Sequence, residues 1–123
     1  ALVVDNEPAI LEGMTLLLDG WGTTARTANS VGEALKTGVE LGARLDIVLA
    51  DYHLHRDDGL LMIQSLRARL GRRVPAVLIT ADRSREVQEQ AQTADVVVLR
   101  KPVKPAALRA AMARVLATAE AAE

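Results

Sequence analysis

Residues 47–59 read Ile47-Val48-Leu49-Ala50-Asp51-Tyr52-His53-Leu54-His55-Arg56-Asp57-Asp58-Gly59. A short apolar run ends on a carboxylate, a polar loop Tyr52–Asp58 follows, and Gly59 opens a segment with Leu60, Ile63, Leu66 and Leu70 at helical spacing. An unbroken apolar run bounded by such signals is the pattern of a strand buried on both faces, as in a parallel sheet. Three further runs share the design: Ala1–Val4 meets Asp5, Ala76–Ile79 meets Thr80, and Val96–Leu99 passes through Arg100 to Lys101-Pro102. In an open α/β sheet, ligands collect beyond the carboxyl ends of the strands. Two carboxylates, a hydroxyl and an ammonium, one per strand end, are therefore expected at a single cleft. That set suits a divalent metal and a phosphoryl group.

Between these runs the spacing turns helical. Pro8 suits a first helical position, and Ile10, Leu11, Met14, Leu17, Leu18 and Trp21 recur on one face until Gly20 and Gly22 stop it. Thr23–Ala28 is a weak strand candidate. Ser30-x-x-Glu33 is a capping box for a helix running to about Gly42. Gly71 closes the helix after Gly59. Asp82 or Ser84 caps a polar helix through Ala94, and Pro105 starts the last helix, with Leu108, Met112, Val115 and Leu116 on one face. The order is strand–helix five times over. Right-handed crossovers then predict one doubly wound α/β domain over residues 1–123, a parallel sheet with helices on both faces. The alanine-rich tail beyond Leu116 is expected to fray.

Composition limits the function classes. The 123 residues fit a single domain, half of them are hydrophobic, and there is no cysteine for a disulfide or thiolate metal site. A cytoplasmic location is the expectation that follows. No apolar stretch approaches the ~20 residues of a membrane span. Net charge of −1 and only two aromatics, Trp21 and Tyr52, argue against a nucleic-acid surface. The cations Arg83, Arg85, Arg100, Lys104, Arg109 and Arg114 read as solvated faces rather than a binding patch. The chain opens inside a strand-like run, so it is expected to be cut from a longer protein.

Four strings, in register on four strand ends, identify a family: Val3-Val4-Asp5-Asn6-Glu7-Pro8, Asp51 followed by Asp58-Gly59, Leu78-Ile79-Thr80-Ala81, and Lys101-Pro102. Together they resemble the receiver domain of bacterial two-component response regulators. The resemblance implies a flavodoxin-like (βα)5 fold with strand order 2-1-3-4-5. It implies that Asp51 accepts a phosphoryl group from a histidine kinase or a histidine phosphotransfer domain. Asp5, Asn6, Asp51 and the backbone carbonyl of His53 would hold Mg²⁺, which takes oxygen ligands, typically one or two carboxylates plus phosphate. Thr80 would hydrogen-bond one phosphoryl oxygen and Lys101 would pair with another. Ala81 leaves room beside the attacking line, His53 borders the path of a hydrolytic water, and Lys101-Pro102 would be a cis peptide. Homodimerisation is a further option for such domains. The string from Leu99 to Leu108 near the terminus looks most like the C-terminal receiver of a hybrid sensor histidine kinase.

Two positions depart from the family pattern. Asn6 stands where a second acidic residue is usual, so metal affinity should fall without vanishing. Val98 stands where many members place Tyr or Phe, so a signal cannot leave through a swinging ring. The first departure sustains a rival reading, a pseudo-receiver that binds proteins without being phosphorylated. A metal-dependent phosphohydrolase with Asp51 as nucleophile is the third class. It wants an acid/base carboxylate two places on, where His53 stands. The string His53-x-His55-x-Asp57-Asp58 has part of a zinc-hydrolase motif but lacks its last histidine, and the chain has only two.

Overall fold

The computed structural model describes residues 1–82 and 84–122, with side chains through Ala119. The expected alternation is present: β1 (Leu2–Val4), α1 (Pro8–Gly20), β2 (Arg26–Ala28), α2 (Val31–Leu41), β3 (Val48–Asp51), a two-residue antiparallel ladder of β4 (His53–Leu54) and β5 (Asp57–Asp58), α3 (Gly59–Leu70), β6 (Ala76–Thr80), α4 (Arg85–Thr93), β7 (Val97–Arg100) and α5 (Pro105–Ala122). The main sheet is wholly parallel in the order β2-β1-β3-β6-β7. Counting its five strands alone, this is the 2-1-3-4-5 order implied by the family resemblance.

Strand pleating divides the core in two. Leu2, Val4, Val48, Ala50, Ala76 and Leu78 pack with residues of α2, α3 and α4. Their neighbours Val3, Ile47, Leu49, Val77 and Ile79 pack with Leu11, Met14 and Leu18 of α1 and Leu108 and Met112 of α5. Successive side chains on a strand point to opposite faces, so continuous apolar runs are what a sheet covered on both sides requires.

Helix ends follow their local chemistry. Pro8 occupies the first turn of α1. The Ser30 hydroxyl accepts the Glu33 N–H at 3.2 Å, and the Asp58 carboxylate accepts the Leu60 and Leu61 N–H groups at 2.7 and 3.3 Å. Gly71 ends α3 at φ +69°, the left-handed conformation glycine adopts without strain. Of the two candidate caps for α4, Ser84 fills the role, and its hydroxyl accepts the Val87 N–H at 3.3 Å. Asp82 instead accepts the Ser84 N–H at 2.8 Å.

Some expectations need adjustment. The weak strand over Thr23–Ala28 pairs only at Arg26–Ala28, because it is an edge with a single neighbour. Ile10, expected inward, is 40% exposed. The inward row is Leu11, Met14 and Leu18, which leaves Ile10 on the flank of the helix. The loop Tyr52–Asp58 contains the β4–β5 ladder, turned by His55 at φ +58° and closed by the Gly59 N–H on the Tyr52 carbonyl at 2.8 Å. Histidine is among the residues enriched in that conformation. The backbone of α5 runs helical through the alanine-rich segment to Ala122.

Candidate functional site

Asp5, Asp51, Thr80 and Lys101 each stand at or just beyond the carboxyl end of a parallel strand, and three of the four are nearly sealed. Asp5 is 4% exposed, Asp51 6% and Thr80 fully buried. The Lys101 ammonium lies 3.4 Å from Asp51 Oδ1. Pleating explains which of them meet. Asp5 continues the parity of Val3, Asp51 that of Leu49, and Lys101 that of Leu99, so all three belong to the α1/α5 side and line one cleft there. Thr80 has the parity of Leu78 and belongs to the opposite side. Its hydroxyl accepts the Asp82 N–H at 2.9 Å, while its carbonyl accepts the Lys101 N–H at 3.0 Å.

Burial pushes the Asp51 carboxyl above the usual carboxylate range. The Lys101 charge opposes that rise and the nearby Asp5 adds to it, while hydrogen bonds from Lys101 and the His53 backbone N–H pull the other way. Asp5 Oδ1 accepts the Glu7 N–H at 2.9 Å, which orients the carboxylate. Glu7 itself is exposed and Asn6 half-buried.

The neighbouring positions fall as follows. Lys101-Pro102 is a cis peptide, as the family pattern implies. Ala81 is exposed beside Thr80. His53 is exposed, its ring set edge-on to Tyr52 at 4.9 Å between centroids and 67° between planes. Val98 is half-buried against the α2–α4 core. Arg85, Arg100, Lys104, Arg109 and Arg114 are exposed, as expected of solvated faces, while Arg83 lies outside the described residues. Arg109 stacks over Trp21 at 5.6 Å.

One structural requirement of the site went unread in the sequence. A Cβ on Gly59 would stand 2.0 Å from the Asp51 carbonyl oxygen and 3.2 Å from Tyr52 Cα. The first turn of α3 therefore touches the backbone that carries Asp51, and only glycine fits. The Asp58-Gly59 pair was legible as a helix start, but close approach between two backbones leaves no periodic signal.

The donor set bears on metal binding. Among the described residues no three His, Cys, Asp or Glu side chains converge. Among the described residues two buried carboxylates face one ammonium, an excess of negative charge in a poorly solvated place. A hard divalent ion held by one or two carboxylates, an amide or backbone oxygen and water fits that arrangement. A tetrahedral zinc site, which needs more nitrogen or sulfur ligands, does not.

Comparison with known proteins agrees with this architecture. The family model described as the response regulator receiver domain matches residues 1–113. The DNA-binding response regulator MtrA of Mycolicibacterium smegmatis is 38% identical over 80 residues, 65% of this chain and 33% of that protein. The chain thus spans about a third of the length of that relative. A response regulator receiver domain protein from Clostridium thermocellum superposes with a TM-score of 0.89 at 23% identity, covering 99% of this chain and 97% of that one. The chemotaxis protein CheY4 of Vibrio cholerae gives 0.82 at 24% identity over 94% and 96%. The receiver domain of the hybrid histidine kinase CckA gives 0.76 at 23% over 94% and 96%. Among the described residues no helix is long and apolar enough to cross a membrane. With the fold, the strand-end set and the match over residues 1–113 in agreement, this chain belongs to the response regulator receiver domain family of two-component signalling.

Proposed function

We propose that this domain accepts a phosphoryl group on Asp51 from the phosphohistidine of a histidine kinase or histidine phosphotransfer domain. The observation that supports this best is the pairing of a buried Asp51 with Lys101 at 3.4 Å beside Asp5, at the carboxyl edge of the sheet. An Asp51 carboxylate oxygen attacks phosphorus, a P–O bond forms as the P–N bond breaks, and the imidazole nitrogen keeps the electron pair. Carboxylate attack needs no general base. The Lys101 ammonium then pairs with a phosphoryl oxygen in place of the carboxylate, and the Thr80 hydroxyl, which accepts from the Asp82 N–H on the other side of the sheet, turns toward the cleft and donates a hydrogen bond to another. Asp5, Asn6, Asp51 and the His53 carbonyl would hold Mg²⁺, which when bound neutralises charge on the transferring group. A cytoplasmic setting and a place within a hybrid kinase belong to the same reading. So does the option of a homodimer.

Incubation with acetyl phosphate and Mg²⁺, followed by intact mass, tests the reading. A stable adduct of one phosphate, lost in Asp51→Asn, is the expected result. An Asp51→Asn chain that labels at the parent rate would overturn the site. No adduct at all would favour a pseudo-receiver, the reading that Asn6 supports, and steady turnover of phosphate esters would favour a hydrolase.

A further inference from the structure

The amino edge of the sheet, where β6 and β7 begin, carries a cleft of about 440 Å³ that the strand-end site does not use. Four arginines from three segments line it: Arg67 on α3, Arg72 and Arg73 in the loop before β6, and Arg114 on α5. Helix and loop carbonyls hold two of them in place. Arg67 donates to the carbonyls of Val74, Ala94 and Asp95. Arg72 makes its bonds to the Gly42 and Leu45 carbonyls through Nη2, and its Nε and Nη1 carry N–H donors beyond those bonds. Arg73 and Arg114 have no such anchor among the described residues. Arg73 meets the exposed Asp95 carboxylate at 3.5 Å, and the exposed Arg114 has no carboxylate of the described residues within ion-pair distance.

Burial pushes the Arg67 guanidinium below its ordinary value; Asp95 opposes that fall and the charge of Arg73 adds to it. An anion in the cleft would offset this crowding of like charges. A carboxylate has two oxygens in one plane and suits a single guanidinium fork. A phosphate ester presents three oxygens and a second negative charge to donors that arrive from several directions. The anchored guanidinium of Arg72 needs little ordering to receive one. Beside the arginines, the half-buried Pro75 and Val97 give the cleft an apolar side. Clefts of roughly 300–1,000 Å³ that combine apolar lining with a few placed polar groups are the usual form of small-molecule sites, and a bare ion needs far less room. We propose that this cleft binds a small organic phosphate, its phosphate held by Arg72, Arg73 and Arg114 and its apolar part resting on Pro75 and Val97. The cleft lies at the sheet edge opposite Asp51, so the proposal stands whether or not Asp51 is phosphorylated.

Backbone-amide NMR titration without Mg²⁺ is the test, with phenyl phosphate as probe and benzoate, phenol and inorganic phosphate as controls. Phenyl phosphate should give saturable shifts at Ala76, Val97 and Thr118, and each control should bind at least about tenfold more weakly. Arg73→Gln and Arg114→Gln change exposed side chains that hold no backbone carbonyl among the described residues, and each should weaken the probe by at least about fivefold. Asp95→Asn removes the carboxylate that competes for Arg73 and should tighten the probe by about threefold. Asparagine tolerates the left-handed backbone of position 95, at φ +58°, so that variant keeps its fold. Equal binding of benzoate would remove the preference for phosphate, and equal binding of inorganic phosphate the role of Pro75 and Val97. Shifts confined to Asp5, Asp51 and Lys101 would put the probe at the other edge of the sheet. Unchanged binding in both arginine variants, or weaker binding in Asp95→Asn, would remove the role of the cleft's charges. Each of those results, or no saturable shift at all, overturns the proposal.

Discussion

Asn6 keeps an oxygen donor next to Asp5 while giving up a charge. A unit charge pair ~4 Å apart is worth about 4 kcal/mol at an effective dielectric of 20, twice that with a divalent ion, and desolvation of the ligand cancels much of it. Asn6→Asp should therefore tighten Mg²⁺ by roughly ten- to thirtyfold, measured by calorimetry on both chains. Glu7 does not substitute for the missing charge, since it is exposed and only its backbone N–H engages Asp5. Equal affinities in the two chains would show that position 6 is not a ligand. At this scale the sequence was highly legible: Asp5, Asp51 and Lys101 were named from run endings, and they line one cleft. Thr80 was legible as a strand-end hydroxyl, but its bond to the Asp82 N–H depends on a turn that pattern alone does not define.

At the level of elements, two contacts set how the helices and loops meet the sheet. Gly59 lets α3 begin against the Asp51 backbone. Gly59→Ala should destabilise the fold by about 2–3 kcal/mol, since the clash is with backbone rather than with a movable side chain. Urea unfolding measures this, and acetyl phosphate labelling should slow in the same variant. The second contact lies at the opposite edge of the sheet. The half-buried Arg67 of α3 donates to the carbonyls of Val74 and Asp95, both at 3.0 Å, and to that of Ala94. Arg72 reaches the carbonyls of Gly42 and Leu45 at 2.9 and 2.6 Å. These two guanidiniums bind together the loops that precede β3, β6 and β7. Arg67→Lys should lower stability by about 2 kcal/mol in the same assay, because a compact ammonium cannot span three carbonyls and leaves acceptors unpaired. Neither arginine stands out in the sequence. Each sits among other charged residues, and its partners are 7 to 30 positions away.

On the scale of the whole molecule, the site is maintained at some cost to stability. Burial raises the Asp51 carboxyl, so the folded chain holds that proton more tightly than the unfolded chain does. Stability then declines as pH climbs from the unfolded value, near 4, through the folded one, and the penalty is complete above it. Asp51→Asn should accordingly melt above the parent at neutral pH, by about 1 kcal/mol or a few degrees, with the gain shrinking as pH falls toward about 4. Thermal melts of both chains across that range check the sign. A variant that melts lower at neutral pH would mean that the Lys101 pair outweighs burial.

Alternating strand and helix signals, the run endings and the helix caps at Pro8, Ser30, Asp58 and Gly71 were all determined locally, by propensity and periodicity within a few residues. Those are the terms a linear reading can see, and together with the quoted strings they led to the fold, the strand order and the strand-end set. Tertiary structure alone decided the rest. It split the apolar runs between two cores, left Ile10 at the rim, brought Gly59 against Asp51 and anchored Arg67 and Arg72 on distant carbonyls. It also gathered Arg67, Arg72, Arg73 and Arg114 around one cleft. Each of these depends on how close two segments far apart in the chain approach, a distance set by packing and by backbone hydrogen-bond demand rather than by the order of residues.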